Sequence, residues 1–136
     1  MNTETSATMW AVSAQAKGIG YIKRVLDCLY ALGQVVELRS SGTTKGTISG
    51  YFDDLDALAA TATELSGTVP GVYVTLNPVN ATLLARAKNR VENYVKHTTS
   101  DTDILRRLWL PIDLDPVRPS GISSSEGEHQ GGRVRL

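Results

Sequence analysis

The chain has little cysteine, no excess charge of either sign and no long apolar run. Its single cysteine, Cys28, cannot form an internal disulfide, which is typical of a reducing compartment and predicts a cytoplasmic location. Fourteen Lys and Arg balance fourteen Asp and Glu, so no overall field draws the protein to nucleic acid or anionic lipid. No stretch reaches the roughly 18 apolar residues of a membrane span, and residues 1–16 lack the basic start and apolar core of a signal peptide. We therefore expect no membrane partner and no secretion.

Apolar residues at helical spacing predict two helices in the first half of the chain. The first begins near Gly20 and stops at Gly33. We interpret Cys28, on the flank of its apolar stripe, as a small buried residue. The second helix follows Asp53, which we expect to cap it, and stops at Gly67. The predicted buried stripes are Ile22, Val25, Leu26 and Leu29 in the first helix and Leu55, Leu58, Ala59, Ala62 and Leu65 in the second.

Three short runs are typical of β-strands. Residues 35–39 and 47–52 flank a Ser- and Gly-rich turn and predict a hairpin. Residues 72–76 alternate their large aliphatic side chains on one face and predict a core strand. Together with the helices, these strands predict an α/β (α+β) fold with a mixed sheet and flanking helices. We expect one domain, since 136 residues are too few for two of ordinary size, with residues 1–17 as a loosely ordered lead-in.

Basic residues cluster on the outer face of a third predicted helix, which begins at Asn80 as its cap. Between residues 86 and 97, four Lys or Arg occur with one acidic residue and one tyrosine. This pattern predicts a local track for a nucleic-acid backbone in an otherwise neutral chain. A solvated helix face is the alternative interpretation. The candidate nucleic-acid-binding residues are Arg86, Lys88, Arg90 and Lys96.

Strict alternation over residues 108–116 predicts a buried strand with two carboxylates on its other face. The Cα atoms of Asp113 and Asp115 would lie about 6.6 Å apart, two strand rises. At that spacing their oxygens are able to converge on one Mg²⁺ or Mn²⁺ or to bridge two ions. The sequence therefore predicts a metal site with Asp113 and Asp115 as ligands. A solvent-facing pair beside a turn at Pro116 is the alternative.

Residues 104–119, Ile-Leu-Arg-Arg-Leu-Trp-Leu-Pro-Ile-Asp-Leu-Asp-Pro-Val-Arg-Pro, resemble the archaeo-eukaryotic-type primase-polymerase domains of plasmid and phage replication proteins. The resemblance extends over residues 22–129 and implies a metal-dependent nucleotidyltransferase fold. In it, Asp113 and Asp115 match the first catalytic carboxylates. The other segments that fit the family are residues 35–39, 50–54, 71–80 and 120–129.

The resemblance also implies a cofactor and partners. The cofactor is Mg²⁺ or Mn²⁺, and the partners are a single-stranded DNA template, nucleoside triphosphates and a helicase or other replication proteins. Arg118, three residues after Asp115, is the candidate contact for metal-bound phosphates.

The family's domain continues into a nucleotide-binding histidine and a third metal-binding carboxylate, and this chain stops before them. His129 is not that histidine, because capping-box spacings before it place it in the first turns of a helix. We therefore expect a partial domain over 18–129 and a truncated or non-native tail over 130–136. We also expect no primer synthesis by the chain alone.

Two other functions stay open at this point. A non-catalytic nucleic-acid- or protein-binding remnant would use the 86–97 face, and it would show salt-dependent binding without nucleotide incorporation. A nucleotide-sugar transferase would use the Asp-x-Asp pair as its metal site, although the chain is short for that class.

Overall fold

The computed structural model describes residues 18–112, 120–123, 125–127 and 130. In this part of the chain, a three-stranded antiparallel sheet packs against two α-helices, which confirms the predicted α+β class. None of these helices has the length and apolarity that a membrane span requires. The elements in chain order are α1 (18–29), β1 (Val36–Thr43), β2 (Gly46–Phe52), α2 (Leu55–Leu65), β3 (Tyr73–Val74) and two 3-10 helices, Ala81–Ala85 and Asp101–Asp103.

Strand β1 lies at the centre of the sheet, with β2 on one side and β3 on the other, both antiparallel to it. The β1–β2 pair is the predicted hairpin, with Val36 opposite Phe52 and Glu37 opposite Tyr51. The three strands are antiparallel rather than mixed, because β1 continues through a tight turn into β2 and β3 returns along its other edge. The third predicted strand is shorter than residues 72–76, since only Tyr73 and Val74 form strand β3.

The helices cover one face of the sheet and form the main apolar core with it. Val36 and Leu38 of β1 are fully buried there together with Phe52 of β2, because alternate residues of a strand point to the same face. Below them, the Tyr30 hydroxyl donates to the Thr75 carbonyl over 2.6 Å, and burial raises the pKa of Tyr30 to about 12. The helical residues in this core are Leu26 of α1 and Leu58, Ala59 and Ala62 of α2.

Several local predictions for the helices need correction. Asp54, not Asp53, caps α2, since its carboxylate accepts from the backbone N–H groups of Asp56 and Ala57. Helix α1 ends at residue 29, before Gly33, whose φ of 80° places it in the turn that follows. Cys28 is exposed rather than buried, because its position on the stripe's flank faces solvent instead of the sheet.

The predicted third helix is wrong beyond its first turn. Asn80 caps a 3-10 helix that ends at Ala85, and residues 87–95 then run irregularly along the outer edge of β2. There the backbone pairs with the strand rather than with itself: Ser49 and Glu92 exchange two hydrogen bonds of 3.1 and 2.9 Å, and Tyr51 N donates to Ala87 O. The unpaired edge of β2 therefore outweighs the helical pattern of the side chains.

Gly50 makes this close approach along β2 feasible. A Cβ atom at this position would lie 1.8 Å from the carbonyl oxygen of Arg90. Two residues of the segment, Asn89 and Tyr94, adopt positive φ values of 52° and 55°, a conformation that disfavours helix and is uncommon for residues with a side chain. The segment is therefore shaped by its fit against β2.

The predicted strand over 108–116 is also wrong for the residues described. Residues 108–112 are not part of a strand, and Leu108, Leu110 and Ile112, predicted to be buried, are 45%, 76% and 68% exposed. No neighbouring strand of the described chain offers them a ladder, and Pro111 has no N–H to donate. Alternation of apolar residues without a partner strand does not form sheet.

Candidate functional site

The face of the sheet opposite the helices carries polar side chains in place of a second apolar layer. Glu37 and Arg39 of β1 point to this face, and Ser49 and Tyr51 of β2 lie beside them as cross-strand neighbours. We call this surface the polar face. A small apolar cluster lies at one end of it. Its members are Val35, Tyr51, Val79 and Leu83, with Leu84 and Ile104 packed against them.

Glu37 is the centre of the polar face, and it is completely buried. Its Oε1 accepts from Ser49 Oγ at 2.5 Å and from Arg39 Nε at 3.3 Å. Its Oε2 accepts from Arg39 Nη2 at 2.6 Å and from Thr99 N at 3.2 Å. Four hydrogen bonds occupy the acceptor capacity of one carboxylate, so Glu37 has no free lone pair for a metal ion or a substrate proton.

Two opposing effects set the ionisation of Glu37. Burial raises the pKa of this carboxyl, but hydrogen bonds from Arg39, Ser49 and Thr99, together with the Arg39 charge, outweigh burial and hold the pKa below its ordinary value. Glu37 is therefore ionised at neutral pH, and its charge is balanced by the guanidinium of Arg39.

The same network attaches residues near 99 to the sheet. Arg39 Nη2 donates to the Thr99 carbonyl over 3.2 Å, in addition to the bond from Thr99 N to Glu37. The Tyr51 hydroxyl accepts a long 3.5 Å bond from Thr99 Oγ1 and one of 3.4 Å from Arg86 Nη1. The polar face therefore joins strands adjacent in sequence to a segment about 60 residues away.

A second polar cluster lies where β2 leads into α2. Asn89 Nδ2 donates to Asp53 Oδ1 over 2.7 Å, and Lys88 Nζ lies 3.4 Å from Asp53 Oδ2. In return, Asn89 Oδ1 accepts from the backbone N–H groups of Asp53 and Asp54. The Asn89 hydrogen bond is the largest effect on the pKa of Asp53 and, together with the Lys88 charge, it lowers this pKa against the opposing effect of burial. This cluster holds the irregular 87–95 segment in place.

The four predicted nucleic-acid-binding residues all lie on the surface, but in different settings. Lys88 pairs with Asp53, and Arg90 pairs with Glu92 over 2.9 Å. Arg86 contacts the Tyr51 hydroxyl. Lys96 forms no ion pair with a described residue. The positive field of this segment is therefore weaker than its sequence indicates, since two of its cations already have an acidic partner.

The predicted metal ligands Asp113 and Asp115, and the predicted phosphate contact Arg118, lie outside the described residues. The segment leading to them is held by Asn77, just after β3. Asn77 Oδ1 accepts from Leu108 N at 2.7 Å and Trp109 N at 2.8 Å, while Asn77 Nδ2 donates to Trp109 O at 3.0 Å. In addition, Trp109 Nε1 donates to the Leu29 carbonyl at the end of α1. Within the described part of the chain, no group of three His, Cys, Asp or Glu side chains is arranged to hold a metal ion.

Cavities lined by described residues border the sheet on both of its faces. One, of about 340 Å³, opens beside the polar face and is lined by Glu37, Arg39, Tyr73, Val74 and Thr75. Another, of about 590 Å³, lies between the two helices and residues 69–74, and its lining is mainly apolar.

Comparisons of the chain with protein-family models, with curated proteins and with solved structures find no match.

The polar face is the part of the site that sequence reasoning did not identify. Its signal is visible in residues 35–39, where Glu37 and Arg39 stand two apart in an otherwise apolar strand and so share a face. The partner Thr99 comes from a polar loop with no such signal. Only the fold brings it to the carboxylate.

Proposed function

We propose that this chain carries the metal-binding start of a DNA primase-polymerase-type nucleotidyltransferase from a mobile element. The observation that carries the proposal is the run Asp113-Leu-Asp115-Pro-Val-Arg118-Pro, which resembles the family's first catalytic motif. The α+β fold of the described residues is compatible with such a domain, although many unrelated functions share this class.

The donor chemistry of the run fits a divalent cation. Two carboxylates close together repel each other unless a cation lies between them, and Mg²⁺ and Mn²⁺ prefer such oxygen ligands. Asp113 and Asp115 would hold the ion, which when bound would neutralise developing charge on transferred phosphate. Arg118 would contact the phosphates of an incoming nucleoside triphosphate.

The anchoring of residues 108 and 109 supports the proposal from the structural side. Three hydrogen bonds join Asn77, which follows β3, to the backbone of Leu108 and Trp109. These two residues come four to five positions before Asp113 in the sequence. A metal ligand needs a supported backbone, because its oxygen atoms must be positioned within a fraction of an ångström. The proposal includes a cytoplasmic location and, as a partner, a helicase or another replication protein.

Paramagnetic broadening by Mn²⁺ tests the metal site. With the full chain and a titration of Mn²⁺, we expect nuclear magnetic resonance signals of residues 113–115 to broaden first, with competition by Mg²⁺. The matched variant Asp113→Asn/Asp115→Asn should lose this broadening, whereas Asp56→Asn/Glu64→Gln, which removes the same charge from the exposed surface of α2, should keep it. Broadening centred elsewhere, or unchanged in the first variant, would reject the assignment.

A non-catalytic nucleic-acid-binding module is the second candidate, and Tyr94 favours it. This tyrosine is 69% exposed with a φ of 55°, and Lys96 lies two residues away. Lys96 has no ion-pair partner in the part of the chain that the structure describes, and an exposed aromatic ring near such a cation is typical of surfaces on which single-stranded bases stack. Binding of single-stranded DNA that weakens with salt, depends on Tyr94 and Lys96, and is unchanged in Asp113→Asn/Asp115→Asn would favour this candidate.

A further inference from the structure

The cavity of about 340 Å³ beside the polar face contains one cation in its lining, the partly exposed guanidinium of Arg39. We propose that it binds the phosphate group of a nucleotide, with Arg39 as the principal donor and Glu37 as the residue that positions Arg39. In naming a nucleotide as the source of the phosphate, this inference rests on the proposed function. The binding of phosphate itself rests only on residues described above.

The hydrogen bonds of Arg39 leave one side of its guanidinium available. An arginine has five N–H donors. Those of Nε and Nη2 go to the Glu37 carboxylate and the Thr99 carbonyl, while Nη1 has no acceptor among the described residues. The side chain is 34% exposed and lines the cavity. The Nη1 group is therefore free to donate to a ligand oxygen, and a phosphate accepts such bonds strongly.

Glu37 is better explained as a support for Arg39 than as a source of stability. Its burial is complete, and burying an ion pair costs about as much free energy as the pair returns, so an apolar pair would stabilise the fold equally well. What the carboxylate does provide is a two-point contact with Nε and Nη2. That contact fixes the plane of the guanidinium, which reduces the entropy lost when a ligand binds.

Tyr73 supplies the surface that a nucleoside would contact. It is the direct cross-strand partner of Arg39, is 66% exposed and lines the same cavity. Its ring lies over Gly71, where an added Cβ would be 2.7 Å from the Tyr73 hydroxyl oxygen. A base stacked on an aromatic ring gains affinity without regard to its identity. We therefore assign the ligand class as a nucleotide without selectivity for one base.

Titration of the full chain with inorganic phosphate, AMP and adenosine at constant ionic strength tests the site. We expect phosphate and AMP to shift the Arg39 Nε–H and Tyr73 backbone signals, and adenosine alone to bind much more weakly. AMP binding tighter than phosphate, with the difference removed by Tyr73→Leu, identifies a nucleotide as the source. Equal affinities identify free phosphate and still support the anion site. Adenosine binding as tightly as AMP would overturn it.

Variants distinguish the site from a general effect of charge. Arg39→Gln alone would leave Glu37 buried and unpaired, so the double variant Glu37→Gln/Arg39→Gln is used. This double variant should weaken phosphate binding by about tenfold or more, because it loses a hydrogen bond from a charged donor and such a bond contributes about that factor to affinity. Arg39→Lys, which retains the charge without the planar fork, should also bind phosphate more weakly than the native chain. Arg24→Gln is the control for charge: it removes one positive charge on α1, outside the lining of the cavity. This variant should bind phosphate as the native chain does.

The inference is overturned if Arg39→Lys and the double variant bind phosphate as the native chain does, or if Arg24→Gln weakens binding equally. Its failure is separable from that of the proposed function. Phosphate binding without Mn²⁺ binding at residues 113–115 rejects the proposed function alone. Mn²⁺ binding there with no Arg39-dependent phosphate binding rejects this site alone.

Discussion

On the side of the sheet that faces the helices, fully buried apolar residues such as Leu38 and Phe52 pack against Leu58 of α2. On the other side, a buried carboxylate, Glu37, is satisfied by four hydrogen bonds, one of them from a loop. The first side depends on apolar area, which many side chains of similar volume supply. The second depends on particular donors at particular distances, because a buried polar group without partners is costly. The polar face is therefore the more specific of the two and the better candidate for function.

The largest expected effect tests the apolar side. Leu58→Ala should lower the free energy of unfolding by about 2–5 kcal/mol, since it leaves a cavity in a close-packed core. Leu32 is 99% exposed, and Leu32→Ala should change stability by less than about 0.5 kcal/mol. Urea unfolding followed by circular dichroism measures both. Similar values for the two variants would show that α2 does not pack on the sheet.

The next effect concerns the edge of β2. Gly50→Ala should cost about 3 kcal/mol, the upper end for overpacking, because the new methyl group would collide with the Arg90 carbonyl. Gly20 of α1 has open space around it, so Gly20→Ala should stabilise the protein by about 0.5–1 kcal/mol. Hydrogen exchange of the Ser49 and Tyr51 amides should also accelerate in Gly50→Ala. Unchanged stability and exchange would mean that residues 87–95 do not cover this edge.

The next smaller effect on stability distinguishes the Glu37–Arg39 ion pair from the burial of an unpaired Glu37 charge on the polar face. Arg39→Gln should cost about 2 kcal/mol, less than for a fully buried pair because Arg39 is partly exposed. Glu37→Gln/Arg39→Gln should recover part of this loss, since no lone charge then stays buried. Thermal or urea unfolding at neutral pH measures the difference. The loss of unfolding free energy in the double variant is compared with the sum of the losses in Arg39→Gln and Glu37→Gln. A loss in the double variant larger than that sum would contradict the pairing.

The smallest effect is the acid dependence of stability that Glu37 contributes. Its pKa is lower in the folded chain than the ordinary value of 4.5, so the folded state binds fewer protons than the unfolded state in this range. The contribution is complete above about pH 4.5 and is lost as pH falls through the folded pKa. Glu37→Gln should therefore have a shallower loss of stability below pH 4.5 than the native chain. An identical slope would show that Glu37 titrates as an exposed group.

The sequence predicted the apolar side of this molecule well and the polar side poorly. Residues 35–39 and 47–52 formed the expected hairpin, and the stripe from Leu55 to Leu65 formed the expected helix, because periodicity reports which residues avoid water. The basic segment 86–97 was wrong as a helix because its backbone satisfies the β2 edge. The bond between Thr99 and Glu37 spans 62 residues, and no local pattern encodes such a distance.

The most direct test of the central proposal is the affinity for a non-hydrolysable nucleoside triphosphate, measured by calorimetry with and without Mg²⁺. For the native chain we predict that Mg²⁺ strengthens binding by about tenfold or more, because an ion held by Asp113 and Asp115 would bridge to the phosphates. The same gain should be absent in Asp113→Asn/Asp115→Asn and retained in Asp56→Asn/Glu64→Gln. Affinity that is independent of Mg²⁺, or a gain that survives in Asp113→Asn/Asp115→Asn, would contradict a nucleotidyltransferase metal site in this chain.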